Sequence, residues 1–580
     1  MTLGTPVSGH APLVRNPLSI RGFPIHALRR TPAMAVLAMA LWLATPVRAG
    51  AGEASSVSPK QWREDLKFTL QKLKDIHPSL YRRVKSDSLE TAAKNLNRII
   101  PELNDDQVVV GLMRLVSMIQ DGQTMIVPAE SKVAGGAFFP LRFQHFSDGL
   151  FITEAPKNHA ELAGAKVLRI GDVEAEAAFD RVSGLLAYDN SFTRLNRGPM
   201  ALVTPSIVHG AGLARTRDSL EVTVRTRTGA KRIDRIAAVS DDSGSEWLWQ
   251  EEGLPVPDAV SAIDGVSEFP VSRRRDKNYW FAYLPDQKVL YLQFNAVQHD
   301  KEEPFEQFCD RMWREVDKHE VDKLILDVRH NGGGMNRILN PLLHGFIKRD
   351  EINRRGRFLM LTGRATGGAA VDCQAFLEEH TNVLFVGEPS GASPNHADDP
   401  ARYVLPQSGL SLQVSKYFWT NAMPWDKRAA IQPHVPVSVS SKDYFEGKDP
   451  VFEAAVALQN YQSLSDQLRA ASSEGVAKAR AVYREYRKQF PEEFGETAER
   501  DINYLGYTLL SEDRIDAAIV AFRLNTELFP ESWNVWDSLG EGLMRKGDKA
   551  GAIANYEKSL KLNPENTGGR MMLRTLREKK

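Results

Sequence analysis

The stretch that decides the fold runs from Leu324 to Gly334 and reads LILDVRHNGGG. Its first five residues are apolar except for one aspartate, as expected of a parallel strand buried on both faces. Three glycines, Gly332, Gly333 and Gly334, then let the backbone approach a ligand closely with its N–H groups exposed. Beside a helix that starts near Asn336, those donors predict an oxyanion hole or a carboxylate cradle. The alternative is a glycine-rich turn without a ligand. A phosphate loop is disfavoured, because no Lys-Ser or Lys-Thr pair follows the glycines.

Strands and helices alternate on both sides of this stretch. Short apolar runs predict strands at Val289–Phe294, Leu324–Val328, Phe358–Leu361 and Val383–Val386. Helical spacing predicts a helix that includes Phe305, Phe308, Cys309, Met312 and Val316. Alternation of this kind indicates a largely parallel sheet covered by helices, which is an α/β core.

The segments before this core have different patterns. From Pro59 to about Ile126, apolar residues recur every three or four positions, which predicts a helical region. Residues 140–235 carry short β-rich runs separated by glycines. Residues 236–278 are rich in Ser, Asp, Gly and Pro, and this composition predicts a linker or a long loop.

The C-terminal residues repeat themselves with an offset of 34. The recurring residues are Leu505, Gly506, Leu509, Ala518, Ile519, Phe522, Leu528 and Pro530, which return as Leu539, Gly540, Leu543, Ala552, Ile553, Tyr556, Leu562 and Pro564. This pattern resembles the tetratricopeptide repeat, a pair of packed helices with that period. Tyr483 and Phe490–Pro491 indicate a half-unit before the two full ones. The resemblance implies an all-α segment whose groove holds a protein partner.

Three motifs resemble the tail-specific (carboxyl-terminal-processing) serine protease family and its tricorn-like branch. They are Leu324–Gly334, Phe385–Pro389 with the preceding Leu361–Ala370, and Leu162–Asp172, which resembles the strand and Gly-Asp turn of a PDZ-like module. The resemblance implies an α/β crotonase-like protease core with a helical N-terminal cap and a PDZ-like module, followed by the all-α tetratricopeptide repeats. It also implies a cleft for an extended peptide or a protein C-terminus, with the three glycines as substrate-binding residues.

The residues that perform catalysis in this family are replaced here. The position of the nucleophilic serine, counted back from Val386, is occupied by Gly368, and no serine lies in Phe358–Glu388. The histidine base of the tricorn-like branch is replaced by Gln123, and the alternative lysine base is replaced by Ser393. Glycine has no side chain to attack a carbonyl, and glutamine cannot accept a proton near neutral pH. The sequence therefore favours a catalytically impaired peptide-binding or scaffold protein.

The alternative is an active serine-type endopeptidase with a relocated nucleophile. The nearby nucleophiles are Thr366, Cys373, Ser390 and Ser393, with His330 or His396 as the base. A third hypothesis, a binder of small hydrophobic molecules, rests only on retinoid-binding relatives of the family. His77 lies in a motif that resembles a helix end of the tricorn-like branch and is expected to be structural.

Composition limits the remaining possibilities. The 580 residues carry 74 Lys+Arg and 74 Asp+Glu, so no positive field is available to hold nucleic acid. Two cysteines, Cys309 and Cys373, make neither a disulfide framework nor a cysteine-built zinc site. No histidine or acidic cluster has the spacing of metal ligands, so the sequence predicts no metal and no cofactor.

The N-terminus predicts export to the periplasm or cell envelope. Arg29 and Arg30 precede an apolar run from Ala33 to Ala44, and Val47–Ala49 resembles a small-residue cleavage site. A short membrane anchor is the alternative. The expected domains are a signal peptide at 1–49, a helical cap at 50–130, a PDZ-like module and linker at 131–278, the α/β core at 279–462 and the repeats at 463–580.

Overall fold

The computed structural model describes residues 56–128, 131, 133, 136–240, 256, 258–264, 266, 276–458, 464–489 and 495–578. The predicted signal peptide, part of the predicted linker and Phe490–Pro491 lie outside these residues. The chain divides into two compact units, which meet in sequence between Ser463 and Leu464. No helix among the described residues is both long and apolar enough to cross a membrane.

A six-stranded sheet forms the centre of the first unit, and its pattern confirms the predicted parallel core. In spatial order its strands are Tyr279–Leu284, Val289–Phe294, Lys323–Asp327, Phe358–Thr362, Leu384–Gly387 and Val435–Pro436. The first pair is antiparallel and all the others are parallel. One face packs against the helices Phe305–Lys318, Asn340–Ile347 and Ala369–His380, and the other face packs against Pro450–Ala457. Burial on both faces explains why these strands read as continuous apolar runs.

The N-terminal region is helical, but it ends earlier than predicted. Its helices are Pro59–Ile76, Ser86–Ile99 and Asp105–Ser117, with a short 3-10 turn at Ile100–Glu102. The expectation of helix as far as Ile126 is wrong, because Met125–Val127 is a strand. It pairs antiparallel with Ser411–Thr420, which in turn pairs with Asn395–Val404. The chain turns at Asp121–Gly122. The following residues form a strand because they pair with Ser411–Thr420, which is distant in sequence.

A second sheet, of seven strands, lies between the N-terminal helices and the core in sequence. Its strands are Arg142–Phe146, Gly149–Pro156, Lys166–Ile170, Val173–Glu174, Ser219–Arg225, Lys231–Ala237 and Ala259–Ser261. The last of these pairs with Gly149–Pro156, so part of the predicted linker belongs to the sheet. Three helices that the sequence analysis did not predict are Ala175–Ser183, Ser191–Leu202 and Pro205–Gly210. Smaller elements of this unit are the paired strands Ala137–Phe138 and Val239–Ser240, the 3-10 turns Lys157–Leu162 and Asn336–Ile338, and the helix Ser441–Phe445.

The C-terminal unit is entirely helical in its described residues. Its helices are Leu464–Glu474, Val476–Gln489, Gly495–Ser511, Ile515–Leu528, Trp533–Lys546, Lys549–Leu562 and Thr567–Glu578. The repeated glycines allow close packing of two helices: a Cβ at Gly506 would overlap the ring of Phe522, and one at Gly540 would lie 3.2 Å from the ring of Tyr556. The 34-residue period therefore reflects the same helix-to-helix contact made twice.

We expect a fragment of residues 464–580 to unfold at a higher temperature than a fragment of residues 495–580. Leu468 and Tyr483, from the two helices that the shorter fragment lacks, belong to the same buried cluster as Leu509 and Phe522. Their removal would expose apolar surface that a two-repeat array cannot cover. Thermal melts followed by circular dichroism measure the difference, and equal midpoints would show that the preceding helices contribute nothing.

Candidate functional site

Five of the residues named in the sequence analysis line one small cleft at the carboxyl ends of the central strands. They are Gln123, Gly332, Thr366, Gly368 and His396. Ser393, Gly333 and Gly334 are not among its lining residues, although the neighbours Ala392 and Gly332 are. The structure thus brings the predicted nucleophile position and the predicted base position together, as the resemblance implies.

Gly368 begins the helix Ala369–His380 in a turn that disfavours any side chain. Its φ is 47° and its ψ is −132°, a conformation that glycine adopts far more easily than other residues. A Cβ at this position would lie 2.9 Å from the Gly332 carbonyl oxygen and 3.5 Å from Asp398 Oδ2. The turn is therefore a sharp strand-to-helix turn that offers only its backbone.

The predicted glycine cradle has a structural reason as well as a possible role in binding. Gly333 and Gly334 have φ of 117° and 137°, and a Cβ on Gly333 would lie 2.8 Å from the Ala369 nitrogen. The Asn331 side chain already accepts from the Gly333 amide at 3.0 Å. Within the described residues, the amides of Gly332, Gly368 and Ala369 donate to no protein group. Unpaired donors of this kind, two of them at the N-terminus of the helix Ala369–His380, suit a carbonyl or carboxylate oxygen.

The turn that carries Gln123 is fixed by the buried carboxylate of Asp121. Asp121 accepts from the Gln123 amide at 3.0 Å and from Ser415 Oγ at 2.7 Å, and His77 Nε2 lies at 2.9 Å. Burial would raise the pKa of Asp121, but hydrogen bonds from His77, Thr124 and Ser415 hold it below its usual value. His77 is therefore structural, as predicted. The Gln123 side chain reaches the cleft without a group that can accept a proton.

The three hydroxyl candidates for a relocated nucleophile are already engaged in the scaffold. Thr366 Oγ1 donates to a main-chain carbonyl at 3.0 Å, Ser390 Oγ to another at 2.7 Å, and Ser393 Oγ to a third at 3.0 Å. All three residues are buried. No histidine of the described residues accepts from any of these hydroxyls, so none of them is activated for attack.

The thiol candidate is equally unsuitable. Cys373 belongs to the buried cluster between the central sheet and its helices, and burial raises the pKa of its thiol to about 12. A thiol with this pKa supplies almost no thiolate near neutral pH. Cys309 lies in the same cluster, as its position on an apolar helical face predicts.

His396 is the one cleft residue with a ring nitrogen available to a ligand. Its Nδ1 donates to the Ser393 carbonyl at 2.9 Å, whereas its buried Nε2 has no hydrogen-bond partner among the described residues. That nitrogen lies 3.7 Å from Asp398 Oδ2 and 3.9 Å from Asp372 Oδ1. Burial lowers the pKa of His396, but the carboxylates of Asp398, Asp372 and Asp189 outweigh it and raise it to about 9. His396 is thus an imidazolium near neutral pH, a donor and not a base.

Asp372 and Asp398 are functional candidates that the sequence analysis missed. Both Asp372 oxygens accept from amide side chains, one from Asn336 and the other from Asn421. Burial raises the pKa of Asp372 to about 6. The sequence gives little indication of either residue. Asp372 lies on the helix Ala369–His380 and Asp398 on the strand Asn395–Val404, and only the tertiary fold brings these two elements together.

The aspartate and arginine of the opening stretch have a structural role. The Arg329 guanidinium donates three hydrogen bonds to Asp327 and two to Asp449, at 2.7–3.2 Å. Tyr291 Oη also donates to Asp327 at 2.6 Å. The side chains of Asp327, Arg329 and Asp449 are 1%, 12% and 3% exposed. This triad fixes the end of the strand from which the glycine loop departs.

No group of three or more His, Cys, Asp or Glu side chains in the described part of the chain could hold a metal ion. The side chains that carry a charge or a polar group in the cleft lining include Asp189, Arg197, Arg364, Gln123 and His396.

The tetratricopeptide repeat family matches residues 533–566. No curated protein matches the chain in a sequence search. Mature CPAF in complex with lactacystin is similar in structure, with 10% identity, a TM-score of 0.48, and coverage of 69% of this chain and 98% of that chain.

Two further solved structures are similar to this chain. The photosystem II D1 C-terminal processing protease has 11% identity, a TM-score of 0.32, and coverage of 65% of this chain and 93% of that chain. A putative peptidase from Parabacteroides merdae has 13% identity, a TM-score of 0.36, and coverage of 69% and 98%. The structural neighbours are thus proteases of the kind that the sequence motifs resemble, and residues 533–566 are a tetratricopeptide repeat.

Proposed function

We propose that this chain is a tail-specific-protease-like protein that binds an extended peptide or a protein C-terminus in its cleft without cleaving it. The observation that carries this proposal is Gly368, which occupies the strand-to-helix turn of the nucleophile without a side chain. An acyl-enzyme intermediate cannot form at that position, because glycine has no side-chain nucleophile.

The other groups of the cleft support binding rather than cleavage. Gln123 cannot accept a proton, and the raised pKa of His396 keeps that imidazole protonated near neutral pH. The hydroxyls of Thr366, Ser390 and Ser393 are held by main-chain carbonyls. Loss of a catalytic serine or of its base lowers kcat about a millionfold in a serine protease, so both losses together remove measurable turnover.

A peptide backbone fits the unpaired groups that remain. The amides of Gly332, Gly368 and Ala369 are free to donate, and buried polar groups require partners. The strand Asn395–Val404 is an edge of its sheet and carries His396 into the cleft at its start. An extended chain can add to such an edge through main-chain hydrogen bonds.

We assign the six-stranded sheet to a crotonase-like core and the seven-stranded sheet to a PDZ-like module within the same proposal.

Labelling with an active-site-directed probe tests the proposal. A fluorophosphonate reacts with an activated serine, and iodoacetamide reacts with an activated cysteine. We expect neither reagent to label the purified full-length protein, while fluorescent peptides with free C-termini bind and are recovered intact. Stoichiometric labelling mapped to Ser390, Ser393 or Cys373 would instead establish the alternative, an endopeptidase with a relocated nucleophile.

Export is part of the same proposal. We expect the mature protein to begin near Gly50, because the charged and apolar residues before Ala49 match a secretory signal. N-terminal sequencing of protein recovered from the envelope fraction checks this expectation. A mature chain that retains Ala33–Ala44 would be anchored by that segment instead.

A further inference from the structure

The exposed large apolar side chains of the C-terminal unit all lie on the first helices of successive helix pairs. They are Tyr504 (71% exposed), Tyr507 (36%), Trp533 (37%) and Met571 (64%). The described residues of the intervening helices, Ile515–Leu528 and Lys549–Leu562, expose no comparable side chain. Apolar surface is therefore left uncovered on the first helices and not on the intervening ones.

Two of these side chains, Tyr507 and Trp533, belong to one face. Trp533, Asp537 and Glu541 recur every four residues along one helix and therefore share a stripe. Tyr507 Oη, on the preceding first helix, lies 3.2 Å from both Ser538 Oγ and Glu541 Oε2 and donates to one of them. We call the face formed by Tyr507, Trp533, Asp537 and Glu541 the acidic-aromatic face.

The charge of this face is not compensated within the unit. Asp537 and Glu541 form no ion pair with any described residue, and their oxygens contact only the Asn566 amide and the Tyr507 hydroxyl. Arg545, one turn beyond Glu541, does not pair with it either. Burial and the neighbouring Glu541 raise the pKa of Asp537 although the Asn566 amide opposes the shift, as expected for two crowded carboxylates without a cation.

Four other acids of the same unit have cationic partners. Glu512 pairs with Arg469, Glu527 with Arg480, Asp516 with Lys546 and Glu557 with Arg577. Asp537 and Glu541 differ from these four because they lie side by side on one helix face without a cationic partner among the described residues.

We propose that the acidic-aromatic face binds a segment of a partner protein in which apolar side chains are interspersed with lysine or arginine. The apolar residues would cover the exposed aromatic rings, and a cation would lie between Asp537 and Glu541. The proposal deepens the proposed function by naming the class of partner that the repeats take, and it rests on their role as an interaction module.

Fluorescence anisotropy with the full-length protein tests this directly. The probe is a fluorescein-labelled dodecapeptide of alternating leucine and arginine, compared with peptides in which glutamine or glutamate replaces arginine. We expect the arginine peptide alone to bind, with an affinity that falls as salt rises. The double variant Asp537→Asn with Glu541→Gln should bind it about tenfold more weakly, because two partly buried charges are lost.

A matched variant controls for net charge. Glu512→Gln with Asp516→Asn removes the same two charges from outside the face and should leave the affinity within about twofold. Equal binding of the glutamine peptide, equal losses in the two double variants, or no binding of the arginine peptide would each overturn the proposal. Probe labelling and peptide cleavage report on the cleft, which these variants do not touch, so failure here is distinguishable from failure of the proposed function.

Discussion

Replacing Arg329 with methionine should lower the free energy of unfolding by about 3–5 kcal/mol, because it leaves two buried carboxylates without their cation. This guanidinium donates three hydrogen bonds to Asp327 and two to Asp449, and both carboxylates are almost fully buried. Methionine fills much of the same volume, so the loss reports the charge rather than a cavity. The glycine loop after Arg329 should become less ordered as well.

Urea denaturation followed by circular dichroism measures this change. The control is Arg169→Met, which removes an ion pair with Glu174 whose side chains are 40% and 71% exposed, and which should cost no more than about 1 kcal/mol. Similar effects of the two substitutions would mean that the triad does not hold the strand end. Asp449→Asn combined with Arg329→Met should recover part of the loss, since one uncompensated charge disappears.

At pH 7 the double change Gly368→Ser with Gln123→His should give peptide cleavage that neither single change gives. A serine without a base and a base without a serine are both catalytically inactive. The effects of the two substitutions on the cleavage rate are therefore far from additive. The structure adds a steric condition: the new Cβ would lie 2.9 Å from the Gly332 carbonyl, so the loop must move by a few tenths of an ångström. We therefore expect a rate well below that of a natural protease.

His396 gives the single variant Gly368→Ser a distinctive pH dependence. Near neutral pH the imidazolium cannot take a proton from the new serine, and its pKa is raised to about 9. The rate of any cleavage by the single variant should therefore rise as pH increases through about 9. The double variant should already be active near pH 7, because the histidine that replaces Gln123 is expected to have the unperturbed pKa of about 6.5. Rates from pH 6 to 10, measured on one fluorogenic peptide, separate the two bases. A flat profile in the single variant would exclude His396 as a base.

Local periodicity predicted the elements whose stability depends on nearby residues. The central strands, the helix from Phe305 to Lys318 and the repeated helices all carry a clear spacing of apolar residues. The three helices between residues 175 and 210 were missed, because two of them are short and the β-rich runs around them dominate the pattern. Met125–Val127 was misassigned because its partner strand lies far away in sequence.

The same distinction applies to the cleft. Motif spacing placed Gly368, Gln123 and Gly332, which the structure brings to one cleft. It could not show that Arg329 reaches Asp449, or that His396 lies between two carboxylates, because each contact joins elements that only the tertiary fold brings together. The hydrogen bonds of the substitute hydroxyls could not be predicted either, because they are made to main-chain carbonyls, which every residue has.

Turnover of peptides by the wild-type protein tests the central claim most directly. Full-length protein, incubated with a pool of extended peptides with free C-termini and analysed by mass spectrometry, should release no fragment above a control without protein. The peptides it binds should be recovered whole. Cleavage that co-purifies with the chain and disappears in Ser393→Ala, Ser390→Ala or Cys373→Ala would contradict the account, because it would show a working nucleophile in a cleft where we find none.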